Sequence, residues 1–138
     1  MSEPLSPQSQ NPFDRFREKV AQNAAAWLEF VLAHHHDFVT LDKELDNLMK
    51  AIHHAHGEPA ALPAGLSLVQ ALWSYVEFRG HLLTWQRTLE KSLELSQVTG
   101  RREDEASLLV QLGELSRVLG RTDRALELQV AAHALFDQ

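Results

Sequence analysis

Apolar residues recur at intervals of three and four along most of this chain, with polar residues between them. This spacing is typical of amphipathic α-helices, and no stretch shows the sustained alternation of a strand. The periodic stretches end at four glycines that lie 23, 20 and 20 residues apart, Gly57, Gly80, Gly100 and Gly120. The pattern predicts an all-α fold of about six helices, four of them closed by a glycine.

Local signals predict where the helices begin. Asn11 is the predicted N-cap of the first helix, because Pro12 suits the first helical position, where its missing N–H has no partner in any case. Thr40 is the predicted cap of the second helix, and Pro63 marks the start of the third. The helices are expected to pair into antiparallel hairpins within a single domain, at about 11–57, 63–100 and 102–138.

The last part of the chain repeats the apolar phase of the preceding forty residues when Gly80 is aligned with Gly120. Residues 106–138 resemble a tetratricopeptide repeat (TPR) in a Leu-Gly pair, a helix-closing glycine and two small residues, which are Leu112, Gly113, Gly120, Ala125 and Ala132. They depart from the repeat at Ser116, Gln129 and Asp137. The resemblance implies that the hairpins stack as a short right-handed α-solenoid of TPR type.

The helical pattern over residues 13–138 also resembles the long-period repeats that follow the ATPase and winged-helix domains of bacterial MalT-like and NB-ARC-type signalling regulators. The chain contains no GxxxxGK[ST] loop, so the resemblance covers the repeat module and not an ATPase. It implies a non-enzymatic protein–protein interaction module, acting as an adaptor or assembly element in a regulatory system. The alternative is a small-molecule- or metal-responsive sensor, because MalT-like repeats hold effectors.

Composition narrows the choice of partners and compartment. The 138 residues carry a formal net charge of −6 with only 13 Lys and Arg, which argues against nucleic-acid binding. There is no cysteine and no long apolar run, so neither a disulfide framework nor a membrane span is expected. Residues 1–10 are polar and contain two prolines, unlike a signal peptide. They are predicted to be a disordered tail on a cytoplasmic protein.

Two histidine clusters, at 34–36 and 53–56, are the only obvious candidates for metal ligands. His53 and His56 are three residues apart on a predicted helix and could share one ion, with Glu58 nearby. A tight site needs a third close ligand, so surface imidazoles without a metal are the preferred interpretation. No nucleophile, phosphate loop or orienting group accompanies any carboxylate pair, so neither an enzyme nor a cofactor is expected.

The TPR resemblance implies a partner-binding surface on the concave wall, which the first helix of each hairpin lines. The positions carried across are mixed and polar, namely Gln70, Ser74, Glu77, Val110, Glu114 and Arg117. They lack the Lys, Arg and Asn set that clamps a peptide carboxylate, so that mode of binding is not expected.

The last predicted helix is more apolar than one buried stripe requires, since nine of the twelve residues from 125 to 136 are apolar. Terminal repeats normally carry a polar outer face, so the excess predicts an interface or further repeats. A symmetric homodimer is the favoured hypothesis, and docking of a different protein is the alternative. The residues assigned to this face are Leu126, Leu128, Leu135 and Phe136.

Overall fold

The computed structural model describes residues 11–137, and the predicted tail at 1–10 lies outside them. Within that range the chain is helical, with no strand, which confirms the all-α prediction. The helices are α1 (Pro12–His34), α2 (Phe38–His56), α3 (Leu62–Ala71), α4 (Trp73–Arg79), α5 (Leu82–Val98), α6 (Arg102–Val118) and α7 (Thr122–Phe136). None of these seven is both long and apolar enough to cross a bilayer.

The first two helices begin at polar N-caps that satisfy free backbone amides. Asn11 Oδ1 accepts a hydrogen bond from the amide of Asp14 at 2.9 Å, as predicted for α1. The predicted cap of α2 is wrong: Asp37 is the cap, and it accepts from both the amide and the hydroxyl of Thr40 at 3.2 and 2.6 Å. An N-cap side chain accepts from the free amide three residues later, as Asp37 does from Thr40, so α2 begins three residues earlier than predicted.

Three of the four glycines that the spacing singled out adopt the left-handed conformation that ends a helix. Gly80, Gly100 and Gly120 have φ values of 81°, 70° and 79°. After Gly100, the Arg101 amide donates back to the Ser96 carbonyl at 2.9 Å, which satisfies one of the last free carbonyls of α5. Because these caps are local, the sequence alone located the ends of α4, α5 and α6.

The third predicted helix is interrupted at Leu72, so six expected helices become seven in the described residues. The Leu72 amide lies 3.2 Å from the Leu68 carbonyl and 3.3 Å from that of Val69, a tightened turn. Beside it, Gln111 Nε2 of α6 donates to the Gln70 carbonyl at 3.1 Å. A side chain that takes a carbonyl from the helical ladder is a known cause of such breaks.

The core forms where successive helices pack. Helix α1 packs on α2 and α3, α5 packs on α6, and α6 has its most extensive contact with α7. Trp85 is the largest fully buried side chain, and Trp27 and Trp73 pack against the core from its edge. The tryptophans therefore serve packing.

The start of α1 departs from its predicted burial. Phe13 and Phe16 continue the apolar stripe of the helix, yet they are 75% and 60% exposed. The first buried residue of α1 is Val20, and Arg17 pairs with Glu58 just after α2 at 3.7 Å. Since α1 is the longer helix, its first turns extend past the end of α2, and among residues 11–137 no other helix buries either phenylalanine.

Candidate functional site

The outward side of α7 is an exposed apolar surface. Leu126, Val130 and Phe136 are each 61% exposed. The opposite side of the helix is buried against α6 and the core through Ala125, Leu128 and Ala132. We call the exposed set the outer face of α7, defined by Leu126, Val130 and Ala134, and Phe136 is exposed beside it at the end of the helix.

Two of the four residues that the sequence assigned to this face lie elsewhere. Leu128 is only 3% exposed, and its Cβ would lie 3.5 Å from a Cβ placed on Gly113 of α6. Leu135 is partly buried and packs on the main core. Leu126 and Phe136 remain on the surface. The predicted face was therefore wrong at Leu128 and only partly exposed at Leu135, because the buried stripe of α7 follows 125, 128, 132 and 135.

Shallow cavities flank Phe136 at the end of this face. One has a volume of about 310 Å³ and lies between α6 and α7, where Val110 and His133 are among its lining residues. The other measures about 290 Å³ and reaches the start of α6, where Ala106 lines it. Phe136 lines both cavities, so the end of α7 presents concave as well as apolar surface.

Half of the predicted concave wall is engaged in contacts within the molecule. Gln70 Nε2 donates to Asp104 Oδ1 at 2.9 Å, and Asp104 also pairs with Arg101 at 2.7 Å. Glu114 and Arg117 pair with each other at 3.0 Å. Ser74, Glu77 and Val110 are exposed. Of the six positions, Gln70 therefore belongs to a partly buried polar contact, Glu114 and Arg117 form a surface ion pair, and the other three are exposed.

The histidine clusters do not form a metal centre in the described part of the chain, where no group of three potential ligands converges. In the first cluster, His34 Nδ1 lies 2.8 Å from the Phe30 carbonyl oxygen, and the His35 and His36 rings are 3.8 Å apart. In the second, His56 is engaged by Ser92. Glu58, the third ligand suggested for that cluster, pairs instead with Arg17.

His56 lies in a groove between α2 and α5. Its Nε2 is 2.9 Å from Oγ of Ser92, a fully buried hydroxyl. Burial, together with the smaller effects of the nearby Lys91 and His53, lowers the pKa of His56 to about 4. The groove has a volume of about 230 Å³, and its lining residues are Met49, Ile52, His53, His56, Arg87, Thr88 and Lys91. Cationic and apolar groups therefore meet at one concave site.

A second polar cluster joins α2 to α4. Tyr75 Oη donates to Asp42 Oδ1 at 2.5 Å, and Arg79 contacts both oxygens of the same carboxylate, at 3.1 and 2.8 Å. Burial and this hydrogen bond raise the pKa of Tyr75 to about 12, and the Tyr75 hydroxyl and Arg79 lower the pKa of Asp42. Both shifts favour a neutral phenol bound to a carboxylate, so the cluster fixes the helices rather than supplying a proton.

Sequence reasoning missed the groove because its two cations and its two histidines lie on helices that are far apart in the chain. Arg87 and Lys91 are four residues apart on α5, a spacing that indicates a shared face and nothing about α2. Only the packing of α2 on α5 brings them to His53 and His56.

Comparison with known proteins identifies no protein family, curated protein or solved structure that matches this chain.

Proposed function

We propose that the chain is a non-enzymatic interaction module of stacked helical hairpins, and that the outer face of α7 binds the same face of a second copy. The observation that carries the proposal is the exposure of Leu126, Val130 and Phe136 on a helix whose other side is fully engaged. Leu126 and Val130 are one helical turn apart on the same side of α7, and exposed apolar surface of this kind marks an interaction site.

The order of helix contacts supports the hairpin stack. The first helix of each hairpin contacts the first helix of the next, as α1 does α3 and α3 does α6. The second helices of the first two hairpins, α2 and α5, also contact each other. These pairings are expected of a TPR-like solenoid, in which each repeat packs on its neighbours and leaves extended surfaces for partners.

The outer face is complementary to itself. A two-fold axis at Val130 of an antiparallel α7 pair sets residues that are equally distant from Val130 opposite each other. Leu126 then meets Ala134 of the second copy, a large residue against a small one. Glu127 meets His133, whose imidazole can donate a hydrogen bond to the carboxylate.

The size of the face sets the expected strength. Helix α7 has 15 residues and is about 22 Å long at 1.5 Å per residue. One helix pair of that length buries less than a standard interface of about 1,600 Å², so the dimer is expected to dissociate in the micromolar range.

Light scattering on a sizing column, over a hundredfold range of concentration, tests the proposal. The chain should exceed its monomer mass of 15.6 kDa and approach twice that value at high concentration. The variant L126E/V130E should remain monomeric with unchanged helicity, because both side chains are exposed. The control L83E/V98E changes two equally exposed apolar residues on α5 and should dimerise like the parent.

A charge exchange tests the register of the pair. The variant H133E places Glu127 opposite a second glutamate and should weaken the dimer about three- to tenfold, since each exposed pair contributes about 0.2–1 kcal/mol. The double variant E127K/H133E restores opposite charges and should recover the affinity. A parent chain that stays monomeric at every concentration, or a dimer that L126E/V130E leaves intact, would refute the proposal.

A further inference from the structure

The groove between α2 and α5 places positive charge around an apolar floor. We propose that it binds a small amphiphilic carboxylate, a free acid with a short alkyl tail, through Arg87 and Lys91. This site is separate from the outer face of α7, so the inference does not depend on the proposed dimer.

The groove is lined by basic residues, although the chain as a whole is acidic. The whole sequence has a formal net charge of −6, yet two basic residues and two histidines line this groove and no carboxylate does. The Arg87 side chain forms no ion pair or hydrogen bond with any other residue from 11 to 137. Lys91 has one long contact, with Glu94 at 3.9 Å, and both side chains are more than half exposed. Such a contact is weak, so both cations are available to an anion.

The floor of the groove selects a ligand with an apolar part. Ile52 is 2% exposed and belongs to the main core, and Met49 packs against the same core. Thioether and aliphatic groups have no hydrogen bond to offer an inorganic anion, but they gain from covering an alkyl chain. The volume of about 230 Å³ is below that of a drug-sized pocket, which favours a short tail.

The imidazole of His56 forms a fixed polar wall beside the cations. Its contact with Ser92 sets the ring orientation, and the buried ring stays neutral at neutral pH. A neutral ring held by Ser92 is not a strong anion ligand. The carboxylate is therefore assigned to Arg87 and Lys91, with the Thr88 hydroxyl between them on α5 as a further donor.

Titration of the ¹⁵N-labelled chain with hexanoate, at constant pH and ionic strength, tests the inference. Hexanoate should shift the amide signals of residues 49–56 and 87–92 with a Kd of about 1 mM. The variant R87Q/K91Q should weaken binding at least tenfold without altering the fold, because both side chains are exposed. The control K19Q/K43Q removes the same charge from exposed sites outside the groove and should bind like the parent.

Related probes separate the contributions. Hexylammonium should not bind, and acetate and inorganic phosphate should bind at least tenfold more weakly than hexanoate, because they cannot cover the floor. An acetylated hexapeptide ending in leucine presents the same chemistry from a protein source. Tenfold tighter binding of that peptide would overturn the assignment to a free acid. So would equal binding of acetate and hexanoate, an unchanged affinity in R87Q/K91Q, or no shift in the groove.

Discussion

Gly65 and Ala55 mark the closest approach of α3 to α2, and a single methyl group tests whether that contact is as tight as the structure shows. An ideal Cβ on Gly65 would lie 2.6 Å from Cβ of Ala55, whereas carbon atoms prefer about 3.5–4.0 Å. Ala55 is fully buried and its methyl group has no rotamer to escape into. In G65A the two helices must therefore separate by about 1 Å.

Two opposing contributions determine the change in the free energy of unfolding of G65A. Replacing glycine by alanine inside a helix gains about 1 kcal/mol of helix propensity. Overpacking of a close core contact costs about 1–3 kcal/mol, and because the misfit falls on two backbones we take the upper part of that range, about 2–3 kcal/mol. The G65A variant should therefore be less stable by about 1–2 kcal/mol, a fall in Tm of about 3–8 °C for a chain of this length.

Gly113 supplies the matched control, because it is also a buried helical glycine facing another helix. A Cβ there would meet Leu128 Cβ at 3.5 Å, an ordinary van der Waals contact. The propensity gain then stands alone, and G113A should be more stable by about 0.5–1 kcal/mol.

Urea unfolding followed by circular dichroism measures both changes at one protein concentration, with unchanged m-values required for comparison. The double variant A55G/G65A removes the clash, so a double-mutant cycle should show a favourable coupling of about 1–2 kcal/mol between positions 55 and 65. A G65A variant as stable as the parent, or a cycle without coupling, would contradict the packing argument.

Three further predictions concern single contacts. Between about pH 6.5 and pH 4 the unfolded state binds a proton at His56 while the folded state does not, so the free energy of unfolding should decrease as the pH is lowered through that window. Over the same window H56Q should lose about 1–2 kcal/mol less than the parent in urea titrations, a figure discounted for the partial exposure of His56. Tyr75 is the one tyrosine of the sequence, so tyrosinate absorbance at 295 nm should rise near pH 12 in the folded chain, and a midpoint near 10 would contradict both its burial and its bond to Asp42. G120A should lower stability by about 1–2 kcal/mol, measured by thermal melting, because φ is 79° and no atom lies within 4 Å to clash, so strain alone acts.

The sequence determined the helices themselves. A cap such as Asn11 acts on an amide three residues away, and a left-handed glycine such as Gly100 acts on the preceding turn, so both signals are complete within a short window. The apolar period then excluded strands without reference to any contact. The wrong cap prediction at Thr40 also has a local origin, since the cap is Asp37, three residues earlier, and Asp37 accepts a hydrogen bond from the Thr40 amide.

Tertiary structure alone decided what lies on the surface. Leu126 and Leu128 have the same side chain on one helix, and only the contact of Leu128 with Gly113 separates the buried one from the exposed one. The Gln70 carbonyl beside the break at Leu72 accepts a hydrogen bond from a side chain of α6, and the groove depends on α2 meeting α5. These outcomes follow from residues that are distant in the chain. Periodicity predicts that a helix has a buried side, but the neighbouring helices determine how wide that side is and where it ends.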